Sequence, residues 1–194
     1  NTLKEVVGGN DDGFNANVGR WIENGKLISL KKGVFVTKEY YQLCTDKQSY
    51  NEFLANILKK PSYLSGEYVL QKYGILSESV FSITSVTRKK TRIYNNKLGN
   101  FAYSNIKEEL FTGFDILTKS GYEIKEATKM KALFDYLYFR LLRVPEINRE
   151  IIDSFRLNLG NLTFSDFKEL NDYIKLSGVK KFIKLSDYLK ETSI

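Results

Sequence analysis

The chain has no histidine, and Cys44 is its only cysteine. Those two gaps remove most zinc sites and every histidine-based triad or proton shuttle. Only carboxylates, Lys, Ser, Thr and Tyr remain for catalysis. A lone Cys44 excludes an internal disulfide and fits a reducing, cytoplasmic setting. Two prolines in 194 residues argue against long structureless linkers. No run of apolar residues is long enough to span a membrane. No signal-peptide pattern opens the chain, which starts at Asn1 rather than Met. Glycine-rich phosphate-cradling motifs are also missing.

What is present is an ordinary apolar fraction, 42%, and an excess of positive charge, +7 overall. The first supports a real core in one or two domains. The second suits a polyanionic partner.

Thr2–Val7 has the pattern of a short helix with Thr2 as cap, and "GGNDDGFN" that of a turn. Asn15 is then expected to cap a helix over 16–24, with Val18, Trp21 and Ile22 on its buried face. Gly25 ends it, and "KLIS" and "GVFVT" flank "LKK" as a β-hairpin. Helix, turn, helix and hairpin give the order of a winged helix-turn-helix over residues 1–42, its first helix absent or truncated.

Beyond it, "YNEFLANILK" predicts a helix with Phe53, Leu54, Ile57 and Leu58 on one face, stopped by Pro61. Ser65 is expected to cap a second helix closed by Gly74. Residues 80–127 read as mostly β. From Thr128 onward the chain reads as helical, in segments 128–142, 148–155, 164–178 and 179–191. The expected fold is therefore α+β: the winged helix, then a mixed domain over 43–194 with a small, mostly antiparallel sheet and C-terminal helices.

Four candidate sites follow. With Val18, Trp21 and Ile22 turned inward, Arg20 faces outward with Asn17 beside it, suited to guanine and adenine edges. Lys31 and Lys32 on the wing can meet phosphate. The same segment also fits a protein-interaction module. "TRKKTR" offers Arg88, Lys89, Lys90 and Arg92 at a hairpin tip, a solvated turn or a grip on an anionic partner. Asp115, Glu123 and Lys125 have the order of a magnesium-dependent nuclease, in which carboxylates hold the metal and a lysine steadies water. Phe134, Leu137, Tyr138 and Leu141 form an aromatic and aliphatic stripe whose natural place is the core.

The order of these pieces resembles the AbiEi family, the antitoxins of abortive-infection E toxin–antitoxin systems. "LKKGVFV" is similar to that family's wing strand. "PSYLSGEYVLQKYGILSE", "ITSVTRKKTRIY", "LGNFAYSNI" and "ATKMKALFDYLY" are similar to the segments that follow in it. Val69 departs from the usual small residue before Leu70. The resemblance implies a non-enzymatic regulator without cofactor or metal. Its partners would be double-stranded operator DNA and a nucleotidyltransferase-like toxin, with no membrane. It places DNA contacts at Asn17, Arg20, Lys31 and Lys32, and an antitoxin surface at Arg88, Lys89, Lys90 and Arg92. It places Lys131, Leu133 and Asp135 in a helix motif.

Overall fold

The computed structural model describes residues 11–192, a mixed α+β arrangement of eight α-helices and two sheets. Helix α1 spans Asp11–Glu23. The expected turn is thus displaced: residues 11–15 are helical, and Asn15 lies inside the helix rather than capping it. Phe14 explains the difference. It falls one turn before Val18 on the packed side and is half-buried, so its burial outweighs the turn preference of its neighbours. The short helix expected at Thr2–Val7 lies outside the described residues. Gly25, at φ 68°, takes the left-handed conformation that ends α1.

Strands β1 (Leu27–Lys31) and β2 (Val34–Thr37) pair antiparallel across a Lys32-Gly33 turn. Helix α2 (Lys38–Leu43) follows, its N-terminus capped by the Thr37 hydroxyl. Helix α3 (Lys47–Leu58) is capped by Asp46 and buries Tyr50, Leu54, Ala55 and Leu58. Phe53 and Ile57, expected on the buried face, are only half-buried, while the polar Glu52 and Asn56 are buried.

The large sheet has the order β5-β6-β4-β3-β8-β7. Its strands are β3 (Ser62–Leu64), β4 (Ser82–Thr87), β5 (Arg92–Asn96), β6 (Gly99–Asn105), β7 (Phe114–Lys119) and β8 (Tyr122–Ala127). Three of its five pairings are antiparallel; β3 with β8 and β4 with β6 are parallel. Strand β3 corrects the sequence reading. It is three residues long, too short for a periodic signal, yet Tyr63 and Leu64 are fully buried at the sheet's centre. Helix α4 (Glu67–Lys72) starts after Gly66, not after Ser65, whose hydroxyl is committed elsewhere.

The sheet is covered on both faces. Tyr103 donates its hydroxyl to the Ala55 carbonyl at 2.6 Å, tying α3 to one face. Helix α5 (Lys129–Leu141), capped by Thr128, lies on the other. Phe134, Leu137, Tyr138 and Leu141 are all buried there, as expected. Where β3 ends, the Asn56 carboxamide takes a strand's place: it accepts from the Lys125 amide at 2.6 Å and donates to the Lys125 carbonyl at 3.4 Å. That use of both main-chain groups explains a buried asparagine.

Helices α6 (Arg149–Ser154), α7 (Phe164–Ser177) and α8 (Leu185–Thr192) complete the chain. The segment expected as one helix over 179–191 is divided, with a 3-10 turn at Lys180–Phe182 before α8. Contacts also cross the position 42/43 at which the sequence reading divides the chain. Leu30 and Val36 of the hairpin belong to the same buried cluster as the sheet. Asn96 donates to the Leu30 carbonyl at 3.3 Å, and the hydroxyls of Tyr40 and Tyr122 meet at 2.9 Å. No helix among the described residues is long and apolar enough to cross a membrane.

Candidate nucleic-acid interface

On α1, Arg20 is exposed in the last turn, and Asn17 is half-buried beside the packed face. At the hairpin tip, Lys32 is exposed next to Gly33, whose φ of 76° closes the turn. Lys31 is turned inward: its ammonium donates to the Leu58 carbonyl at the end of α3, at 2.5 Å, and lies 5.6 Å from the Tyr94 ring centre. A cation at a helix C-terminus satisfies both an orphan carbonyl and the negative end of the helix dipole. The β1–β2 hairpin is therefore fastened to α3 and to β5 by one of its own basic residues.

The basic turn between β4 and β5 arrives at the same place. Arg88 is paired with Glu108 and lies 5.4 Å over the Phe111 ring. Lys89, Lys90 and Arg92 are exposed, and the Arg92 guanidinium is 5.9 Å from Tyr94. Tyr94 thus carries a cation of the β1–β2 hairpin and a cation of the basic turn. Lys59, just past α3, completes the group. Burial lowers its pKa, and so do the nearby positive charges of Lys89, Lys31 and Arg92. Two surfaces that the sequence reading kept apart, wing and basic turn, are brought together around Lys59. The doublet Lys59-Lys60 at a helix end was the available signal. Tyr94 had none beyond its place two residues after Arg92.

The nuclease layout is not brought together. In the β7–β8 pair Asp115 opposes Glu126, whereas Thr118 opposes Glu123 and Ile116 opposes Lys125. Directly opposed residues share a face, and neighbours along a strand alternate. Asp115 therefore points to one side of the ribbon, Glu123 and Lys125 to the other.

Two ionic networks with buried carboxylates lie elsewhere in the fold. In the first, Lys131 and Asp135, one turn apart on α5, are fully buried and 2.6 Å apart. Asp135 also accepts from Tyr63 at 3.0 Å and Ser65 at 2.7 Å. Burial drives the Asp135 carboxyl upward, opposed by Lys131, Ser65 and Tyr63; it drives the Lys131 ammonium downward, opposed by Asp135. The rings of Phe134, Tyr173 and Tyr63 surround the ammonium at 4.8, 5.3 and 5.9 Å. The segments "SYLS" and "KALFD", far apart in sequence, thus meet in one network. Leu133 is fully buried beside it.

In the second network, Glu52 of α3 and Glu126 of β8 share the ammoniums of Lys72 and Lys119. Tyr68 donates to Glu52 at 2.8 Å. Burial pushes the Glu52 carboxyl up, but Tyr68, Lys72 and Lys119 together hold it below its ordinary value. Cys44 is half-buried, its thiol 3.4 Å from the Asp46 carbonyl.

No family model, curated protein or solved structure matches this chain.

Proposed function

We propose that the chain is a DNA-binding regulator of the antitoxin kind, without enzymatic activity of its own. In this reading residues 1–42 form a winged helix-turn-helix that binds the operator of its own operon. Residues 43–194 oppose a nucleotidyltransferase-type toxin in the cytoplasm. The observation that carries the reading is the continuity of positive charge from the wing to the basic turn. Lys31, Lys89 and Arg92 each lie close enough to Lys59 to act on its charge, and Lys32 and Lys90 are exposed at the two turns. Cations held together in this way raise the local potential and favour a polyanion. Arg20 and Asn17 supply the groups that read base edges, and the lysines supply phosphate contacts.

The test is fluorescence anisotropy on the duplex upstream of the coding sequence, at several salt concentrations. Arg20→Ala should cost about 1–3 kcal/mol and relax sequence preference. Lys32→Ala and Lys59→Ala should weaken all sequences alike, each lowering the salt slope by about one unit. Lys31 is left out because its removal would also undock the wing. Unchanged affinity and slope in all three variants would exclude this interface.

A further inference from the structure

We infer that a groove behind the basic turn is a binding site for a 5′-phosphorylated nucleotide. This goes beyond operator recognition and stands without it. The groove lies where the end of β6 meets the end of α5 and encloses about 500 Å³, within the range of small-molecule sites. Every charged residue that lines it is a cation: Lys107, which follows β6, and Arg143, which follows α5. Both are exposed, and neither has an acidic partner among the described residues. Ser104 and Thr91 add hydroxyls to the wall. The Thr91 oxygen accepts from the Asn105 amide at 3.1 Å, which leaves its proton for a ligand.

Tyr138 supplies a third hydroxyl. It lines the groove and is only 4% exposed, yet its hydroxyl has no hydrogen-bond partner among the described residues. Burial, Asp135 and Glu109 hold the phenol above its ordinary pKa, so it stays a neutral donor. The described buried side-chain atoms that lack a partner are Asn51 Oδ1, Ser62 Oγ and Ser85 Oγ; the Tyr138 hydroxyl is not one of them, so it meets solvent and can donate to a ligand in the groove. The negative end of α5, which would repel phosphate, is partly offset: Lys181 donates to the carbonyls of Leu142 and Val144 just past it. Two unpaired cations and hydroxyl donors, with no carboxylate in the lining itself, make a phosphate site; Asp135 and Glu109 act on Tyr138 from outside that lining. The adjoining Phe139 ring and Leu142, 45% exposed, add the apolar surface that a base requires and a bare anion does not.

The experiment is calorimetric titration of the full chain with adenosine 5′-monophosphate, adenosine and inorganic phosphate. The nucleotide should bind at least about tenfold tighter than either part alone, since phosphate and base contacts add. The double variant Lys107→Ala, Arg143→Ala should lose at least about tenfold in affinity, and Tyr138→Phe about fivefold. Circular dichroism checks the fold, and Lys107→Gln with Arg143→Gln serves if the alanine pair unfolds. Hexaribonucleotides with and without a 5′-phosphate distinguish the source. A phosphorylated strand that binds tighter than the mononucleotide marks a strand end, and equal or weaker binding marks a free nucleotide; both support the site. No nucleotide binding at millimolar concentration, phosphate binding as tight as nucleotide, or unchanged affinity in the folded double variant would overturn it. Operator affinity is read separately, so either idea can fail alone.

Discussion

Lys131 and Asp135 are charged side chains, costly to bury, and are among the most completely enclosed of the described residues. An ion pair at that depth gains little over well-packed apolar groups, but removing one member strands the other. Lys131→Met and Asp135→Asn should each lower stability by about 3–5 kcal/mol in urea unfolding. The double variant should lose less than the sum, because the stranded charge is gone. Tyr63→Phe should cost about 1–3 kcal/mol through one donor to Asp135. Single variants within about 1 kcal/mol of the wild type would show that the network is not rigidly closed. The sequence displayed these residues as parts of two separated motifs, but not their meeting. A charged pair at i and i+4 on a helix ordinarily reads as solvent-facing, and nothing local announces that β3 will seat a tyrosine and a serine against it.

At the scale of elements, legibility followed length. The hairpin, the β-rich stretch and α5 each run for several periods, so alternation or helical spacing marked them. Strand β3 and the onset of α1 did not, because three residues carry no period and Phe14 acts through tertiary burial. Helix α3 was located but its polar side was misjudged: Glu52 is buried among partners that arrive from α4 and β7. These partners make α3 an acid-sensitive clasp on the sheet. The folded-state pKa of Glu52 is depressed below its ordinary 4.5. Its contribution is thus complete above that value and is lost as pH falls through the folded pKa. Glu52→Gln should cost about 2 kcal/mol at neutral pH. The difference from wild type should hold down to the ordinary glutamate range and shrink below it. Unfolding curves across that range check the sign, and a difference that grows on acidification would contradict the clasp.

For the whole molecule, the arrangement sets how far the two proposed functions can be separated. The β1–β2 hairpin rests on the rest of the fold through Leu30, Val36 and Lys31, and the basic turn joins it around Lys59. Cutting the chain before α3 removes the wing's apolar cover, so each buried side chain lost should take about 1.5–3 kcal/mol with it. Point variants in the full chain are the cleaner probe. Arg20→Ala with Lys32→Ala should abolish repression of the promoter yet still rescue cells that express the partner toxin. Charge reversal at Lys89, Lys90 and Arg92 should abolish rescue, since clustered cations act at long reach on an acidic face or on a nucleic acid. Arg88 is spared because it holds Glu108. These are exposed positions, where substitutions usually move stability by little. The reversed turn should also weaken operator binding, by less than loss of Arg20 does, because it touches the same continuous field without reaching bases. A co-expression growth assay beside a promoter reporter, with circular dichroism as the folding control, measures all three effects. Full rescue by the folded charge-reversed chain would remove the turn from antitoxin action. Loss of rescue in the Arg20, Lys32 variant would mean that one surface performs both tasks and that they cannot be divided.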